Sequence, residues 1–293
     1  MLKNNYIKSP LNYMGGKYSI ISDIFETFPT HINKFVDLFA GGLNVGINVN
    51  AKVIYVNDQL VYLIDLYKFF QKTPIDKLLA DIDDKINEYS LDRYNIEGFN
   101  NLRESYNKKQ NPLELFVLTC FSFNHQIRFN QKFHFNTPFG KERSSYNDSI
   151  KNNLIAFSTK LKEGRFVFTS KDFRDFSLTS LTSEDVVYCD PPYLISNGSY
   201  NDGNRGFATW TEKEDKDLLN MLDGLNRRGI SFFLSNVLCH KGIKNQELIN
   251  WSKKYKVVPI EKKYSNCSYH FKNRTAETKE VLITNFEGVN VNK

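Results

Sequence analysis

Val186-Val187-Tyr188-Cys189 is an uninterrupted apolar run that ends in Asp190-Pro191-Pro192-Tyr193, and no other stretch constrains the fold of this chain as sharply. Four apolar residues in a row read as a buried strand. Neither proline can donate a backbone N–H or continue a sheet, so the strand stops there and delivers Asp190 to an open edge beside the ring of Tyr193. That arrangement suits a flat substrate bearing an amino group. An exocyclic amine conjugated to a ring is a poor nucleophile; two acceptors in its plane draw the lone pair out of conjugation while the tyrosine stacks on the ring. A strand-ending turn over a buried tyrosine would contain the same four residues, so the rest of the chain has to decide.

Elsewhere strands and helices alternate. Lys34–Phe39 is a short β-type run entering a small-residue turn, Ala40-Gly41-Gly42, and Leu43–Ile47 beyond it can start a helix. Val53–Val56 follows as a second strand ending at Asn57-Asp58, and Leu60–Phe70 has helical apolar spacing. Further strands are expected at Phe166–Phe168, Val186–Cys189 and Ile230–Leu234. This order predicts an α/β fold with a parallel sheet. An interruption separates the second and third strands. Its first half, with Ile75, Leu78, Leu79, Ile82 and Ile86, predicts amphipathic helices, and its second half, from Asn124 to Ser149, predicts loops or a hairpin around a Pro138-Phe139-Gly140 turn. Residues 74–161 are therefore expected to be an inserted recognition domain within a catalytic domain made of 1–73 and 162–293. Ser196–Thr209, with three glycines and three asparagines, is expected to be a mobile loop.

With 293 residues, 41% hydrophobic and 25% charged, the chain can bury one large core, or one core plus a small appended module. No stretch has the apolar length of a membrane span and the first residues lack the apolar core of a signal peptide, so a cytoplasmic location is expected. Cys120, Cys189, Cys239 and Cys267 lie far apart and read as buried thiols rather than zinc ligands or disulfides. The five histidines show no ligand spacing, and no metal site is expected.

Two further carboxylates sit at predicted strand ends. Asp58, one β-α unit after the glycine turn, stands where an adenosine ribose would be held through its hydroxyls, or where the next helix would be capped. Asp172 follows the Phe166–Phe168 strand, where a surface turn is the alternative. The Gly41-Gly42 backbone permits close approach of a ligand, although the spacing of a dinucleotide-binding turn is missing. Tyr13-Met14-Gly15-Gly16-Lys17 puts a base directly after a glycine pair, but Tyr18 replaces the hydroxyl residue of a phosphate-binding loop.

Tyr13-Met14-Gly15-Gly16-Lys17, Asp37-Leu38-Phe39-Ala40-Gly41-Gly42, Asn57-Asp58, Thr169-Ser170-Lys171-Asp172-Phe173 and Asp190-Pro191-Pro192-Tyr193 occur in the order of the Dam-type, D12 class DNA adenine-N6 methyltransferases of the α group. The chain resembles that family from about Ser9 to Asn285. The resemblance implies a Rossmann-like sheet with helices on both faces, S-adenosylmethionine as cofactor, and duplex DNA as partner. It further implies that Tyr13, Gly15, Gly16, Lys17, Asp37, Phe39, Gly41 and Gly42 surround the cofactor, that Asp58 holds its ribose, and that Asp172 lies near its adenine. Asp190, Pro191, Pro192 and Tyr193 would be catalytic, with the target adenine flipped into the pocket and its amino hydrogens accepted by Asp190 and the Pro191 carbonyl. Leu43 departs from the family's glycine turn.

Lys plus Arg (39) exceeds Asp plus Glu (33), a modest bias. Its distribution is more telling, because Phe121–Arg143 carries Arg128, Lys132, Lys141 and Arg143 against a single acid, Glu142. By resemblance this is the hairpin of GATC-specific enzymes, with Arg128, Asn130, Lys132, Asn136, Pro138 and Lys141 on DNA and Arg128 on a guanine edge. The resemblance extends to the modification enzymes of restriction-modification systems, which would make a cognate endonuclease a functional partner. An aromatic core cluster with solvated charges would also account for the segment. Methylation of cytosine N4, of RNA or of a protein amide remains open to the same acceptors, and so does a non-enzymatic nucleic-acid-binding role.

Overall fold

The computed structural model describes residues 6–196, 210–260 and 278–288. The glycine- and asparagine-rich stretch after Ser196, together with Cys267, lies outside the described residues. Eight strands form one mixed sheet: β1 (Ile32–Asp37), β2 (Ala51–Asn57), β3 (Phe166–Thr169), β4 (Val186–Cys189), β5 (Ser231–His240), β6 (Ile243–Lys244), β7 (Lys256–Pro259) and β8 (Lys279–Thr284). Their order is β3-β2-β1-β4-β5-β8-β7, with β6 paired to β5 as a short hairpin. The first five run parallel. β8 enters antiparallel between β5 and β7 and pairs with both, so the expected parallel sheet is mixed at this side.

The parallel register decides where the site is. Asp37 pairs with Tyr188 and Val56, Asn57 with Thr169, and Cys189 with Leu234. The carboxyl ends of β1 to β4 therefore lie along one edge, and the residues that follow each strand converge there. β4 is buried at all four positions, as its apolar run requires.

Alternate strand residues feed two cores. Phe35, Ile54, Val56, Tyr188 and Phe233 point to one face; Val36, Val187, Phe232, Leu234 and Ile283 point to the other. The second face is covered by two helices, α7 (Glu212–Arg227) and α8 (Gln246–Ser252). Leu218, Leu222 and Leu225 of α7 recur at helical spacing, and Thr211 with Glu214 forms a capping box at its start. The first face carries α1 (Ile21–Phe25), α2 (Val61–Lys72) and the helices of the insert: α3 (Ile75–Glu88), α4 (Ile96–Lys109), α5 (Pro112–Phe121) and α6 (Asp148–Leu161). Asparagine caps three of these: Asn95 accepts from Gly98 N, Asn111 from Leu113 N and Asn147 from Ile150 N. Residues 113–121 of α5 are all buried, which explains why that helix is apolar around most of its circumference.

One expected element is replaced. The segment after the glycine turn forms a single 3₁₀ turn, Gly46–Asn48, rather than a helix. Gly41 and Leu43 both adopt positive φ, 46° and 55°, and Val45, Ile47 and Val49 are buried in the sheet core. Asn48 turns its amide onto the backbone of Ile7 and Asn44, competing with helical bonding. The hairpin in the second half of the insert is present. Asn136 N donates to Arg128 O, Asn130 N to His134 O, and Phe129 bridges Phe135.

Candidate active site

Lys17, expected beside the cofactor, is buried against the strand-end carboxylate of Asp190. Its ammonium is 3% exposed and donates to Asp190 Oδ2 at 2.8 Å and to the Gly15 carbonyl at 2.9 Å, with Glu280 Oε1 at 3.5 Å. Burial alone would lower its pKa, but Asp190, Tyr188 and Glu280 hold it above the ordinary lysine value, so it stays a cation. Gly15, at φ 76°, lets the chain double back so that Lys17 meets its neighbour's carbonyl. On the opposite side, Tyr193 Oη donates to Asp190 Oδ1 at 3.0 Å, so both oxygens of the strand-end carboxylate are engaged. Burial raises the Asp190 pKa, opposed by the charge and hydrogen bond of Lys17. Lys17 Nζ also lies 5.2 Å from the centre of the Tyr193 ring.

A cavity opens from this cluster. Tyr13, Gly15, Lys17, Phe39, Gly41 and Asp58 line it together with Asp172, and Asp190, Pro191, Pro192 and Tyr193 close its catalytic end. Gly16, Asp37 and Gly42 line the adjoining recess, which shares Lys17 and Asp190. Glycine is required at 41: a Cβ there would stand 3.0 Å from the Tyr13 ring at a φ that side chains rarely adopt.

The four strand-end carboxylates have different surroundings. Asp37 is 1% exposed; Gly46 N donates to its Oδ2 at 3.0 Å, while Oδ1 is buried with no hydrogen-bond partner among the described residues. Burial, opposed by the Gly46 bond and assisted by the charges of Asp190 and Asp58, pushes its pKa up to about 8. Asp58 accepts from Leu60 N at 2.9 Å and Gly41 N at 2.8 Å, tying the glycine turn to the tip of β2, and burial pushes its pKa up to about 6. The N-cap position of α2 is Leu60, so Asp58 braces the approach to that helix from just outside it. Asp172 lines the cavity, but Arg174 takes its carboxylate at 2.8 and 2.7 Å and holds its pKa low.

Several residues of the site escaped the motif reading. Glu280 reaches in from the antiparallel β8, and Ser235 from the neighbouring β5; both touch the Tyr193 hydroxyl, at 3.2 and 3.1 Å. Trp210 stands 5.6 Å, centre to centre, from both Phe39 and Phe173, making an aromatic wall. Asn57, already part of the Asn57-Asp58 motif, links three strand ends by bonding the backbone of Leu38 and Lys171 and the hydroxyl of Thr169. Glu280, Ser235 and Trp210 have no local signal beyond their residue type.

The hairpin borders the same cavity. Ile127, Phe129, Phe135 and Thr137 are buried, while Asn136, Pro138, Lys132 and Lys141 are exposed and Arg128 and Asn130 are half-buried. The period-two alternation puts the apolar set inward, where Phe129 packs 4.4 Å from the Tyr62 ring of α2. Arg128 and Gln126 line the cavity and bond to each other. Asn12 Nδ2 donates to Asn124 O at 2.8 Å, fastening the loop before Tyr13 to the base of the hairpin. Asn130, Lys132, Asn136, Pro138 and Lys141 lie away from the cavity on the hairpin and its closing turn.

A family model described as D12 class N6 adenine-specific DNA methyltransferase matches residues 13–266, and the chain belongs to that family. It is 47% identical over 283 residues to Type II methyltransferase M.FokI of Planomicrobium okeanokoites, which covers 97% of this chain and 43% of that protein. It is 47% identical over 284 residues to Modification methylase StsI of Streptococcus sanguinis, covering 96% of this chain and 43% of the relative. To DNA adenine methylase of Escherichia coli it is 27% identical over 230 residues, 77% of this chain and 79% of that one. The chain thus spans less than half the length of the first two relatives.

Proposed function

We propose that the chain transfers a methyl group from S-adenosylmethionine to the N6 amine of an adenine flipped out of duplex DNA, as a modification enzyme of a restriction-modification system. The observation that carries this reading is Asp190 at the end of β4, bonded through one oxygen to a buried lysine and through the other to Tyr193, at the end of a cavity with an aromatic wall. Family membership and the names of the two 47% relatives support it.

The residues present fit the cofactor. Asp37 Oδ1 is a buried acceptor lacking a partner among the described residues, suited to an ammonium, in a recess where Gly16 and Gly42 add no side-chain bulk. Asp58 lies further along the cavity with lone pairs left for ribose hydroxyls, and Phe39, Phe173 and Trp210 offer an apolar wall to an adenine. When bound, S-adenosylmethionine supplies a methyl group already activated on a sulfonium, so the protein has to align the acceptor and exclude water. Asp190 and the Pro191 carbonyl accept the two amino hydrogens, Tyr193 stacks on the base, and Asp190 takes the proton that the amine sheds. Burial raises the Asp190 pKa, and the charge and hydrogen bond of Lys17 oppose that rise and favour the carboxylate form.

Residues 74–161 are proposed as the recognition unit, with Arg128 on a guanine edge, Asn130, Asn136 and Pro138 beside it, and Lys132 and Lys141 on phosphates. An exposed basic hairpin next to the catalytic cavity favours duplex DNA over a short peptide or RNA loop. Asp rather than Ser before the prolines favours adenine over cytosine by family resemblance. GATC is the proposed first site to test. It rests on the hairpin's likeness to GATC readers, whereas the 47% relatives are a type II methyltransferase and a modification methylase, so the sequence read is a separate claim from the reaction. A cognate endonuclease sharing the site is the proposed functional partner, with no contact required. Expression of the chain followed by single-base mapping of modified DNA tests all of this. N6-methyladenine at one short sequence is expected, and methylation confined to cytosine, RNA or protein would overturn it.

A further inference from the structure

Tyr193 has one hydroxyl proton and three described partners for it. Asp190 Oδ1 lies at 3.0 Å, Ser235 Oγ at 3.1 Å and Glu280 Oε1 at 3.2 Å. While the proton points to Asp190, that carboxylate has Lys17 on Oδ2 and Tyr193 on Oδ1, and Oδ1 is correspondingly less able to accept an amino hydrogen. Glu280 is 7% exposed, is contributed by a strand that enters the sheet in the opposite direction, and shares the Lys17 ammonium with Asp190, at 3.5 Å against 2.8 Å. Ser235 is fully buried, with its Oγ 3.1 Å from the same hydroxyl.

We propose that Glu280 is a positioning residue that takes over the Tyr193 hydroxyl bond and thereby frees Asp190 Oδ1 for the substrate amine. The inference rests on the function proposed above. The hand-over requires only rotation of the O–H about the Tyr193 Cζ–Oη bond, so no covalent bond forms or breaks, and the two acceptors differ by only 0.2 Å in distance. Ser235 anchors the tyrosine oxygen while its proton swings. Lys17 lies within reach of both carboxylates and offsets their charges in either arrangement, which limits the cost of holding two acids in a buried site.

A two-background experiment separates this role from simple support of the fold. Glu280→Gln keeps shape but loses the charge that makes a strong acceptor. In the parent it is expected to lower single-turnover methyl transfer by about 10- to 100-fold, the range for a hydrogen bond to a charged group, with DNA affinity unchanged within about twofold. In the Tyr193→Phe background there is no hydroxyl to hand over, and the same substitution should then change the rate by less than about twofold. Glu280→Asp retains the charge beside Lys17 but withdraws it by a methylene; it preserves folding and should show the same dependence on background. Entry of the base is read without cofactor by the fluorescence of 2-aminopurine at the target position, and equal enhancement in parent and Glu280→Gln is expected. Equal rate losses in both backgrounds, no loss in the parent, or a lost fluorescence response would each overturn the hand-over. If the parent itself transfers no methyl group to duplex DNA, the proposed function fails first, and the inference falls with it.

Discussion

At the scale of single residues, the carboxylates of the site are kept apart in role by their partners. Asp190→Ala would leave the Lys17 ammonium with Glu280 and a backbone carbonyl alone, and stranding a buried charge can destabilise the fold as well as the chemistry. Asp190→Asn preserves the shape and is the cleaner substitution. It is expected to lower methyl transfer by about 10²- to 10⁴-fold while DNA binding persists, and a rate near that of the parent would remove Asp190 from the mechanism. Asp37 and Asp58 carry a pH signature. Both pKa values are raised, to about 8 and about 6, so the folded protein holds protons that the unfolded chain releases near pH 4. Their contribution to stability is complete below that range and is lost as pH rises through 6 for Asp58 and through 8 for Asp37. Thermal melts of the cofactor-free protein should therefore decline between pH 6 and 9 by several degrees more in the parent than in Asp37→Asn. Parallel profiles would mean that Asp37 is already ionised.

At the scale of elements, the hairpin shows how one alternating pattern can serve packing and recognition together. Its inward residues fasten it to α2 and α4, where Asn107 bonds both the N–H and the carbonyl of Phe135. Of the six phenylalanines in 121–143, Phe121, Phe129 and Phe135 are buried, Phe139 is half-buried, and Phe123 and Phe133 are exposed, so the aromatic-cluster account holds for most of them and the charges lie outside it. Arg128→Ala is expected to relax discrimination at one base position by about 1–3 kcal/mol. Lys132→Ala and Lys141→Ala should instead weaken binding to every duplex alike, each reducing the salt slope by about 0.9. Methylation rates and binding constants across a set of single-base variants at several salt concentrations distinguish the two; a uniform loss for Arg128→Ala would make it a backbone contact.

At the scale of the whole molecule, the insert and the sheet share one core. The cluster on the first sheet face runs without interruption from Phe35 and Ile54 through α2 to Phe99, Phe116 and Phe157 of the insert. Phe116 of α5 meets Phe70 of α2 edge-on at 5.3 Å. Phe116→Ala is expected to cost about 3–5 kcal/mol and to lower the melting temperature of the entire protein in a single calorimetric transition. Two separated transitions, with only one displaced, would show the insert to be an independent unit.

The sequence by itself determined the end of β4 and the tight turn at Gly41, because prolines, glycines and apolar runs act locally; other strand ends were set by pairing, since β1, read to Phe39, stops at Asp37 and β5, read as Ile230–Leu234, runs on to His240. The inward and outward faces of the hairpin follow a period of two that becomes legible only once its pairing is known. Tertiary structure alone decided which distant groups complete the site. Glu280 and Ser235 reach Tyr193 only because β8 enters antiparallel beside β5, and Lys17 becomes an internal cation only because the loop after Tyr13 is folded over the end of β4. The missing helix after Gly42 has the same origin. Local propensity allowed it, but burial of Val45, Ile47 and Val49 and the amide bonds of Asn48 to Ile7, 41 residues away, were worth more than one isolated turn of helix. Contacts between residues far apart in the chain leave no periodic trace, and a lone glutamate in a strand reads as surface until its neighbours are known.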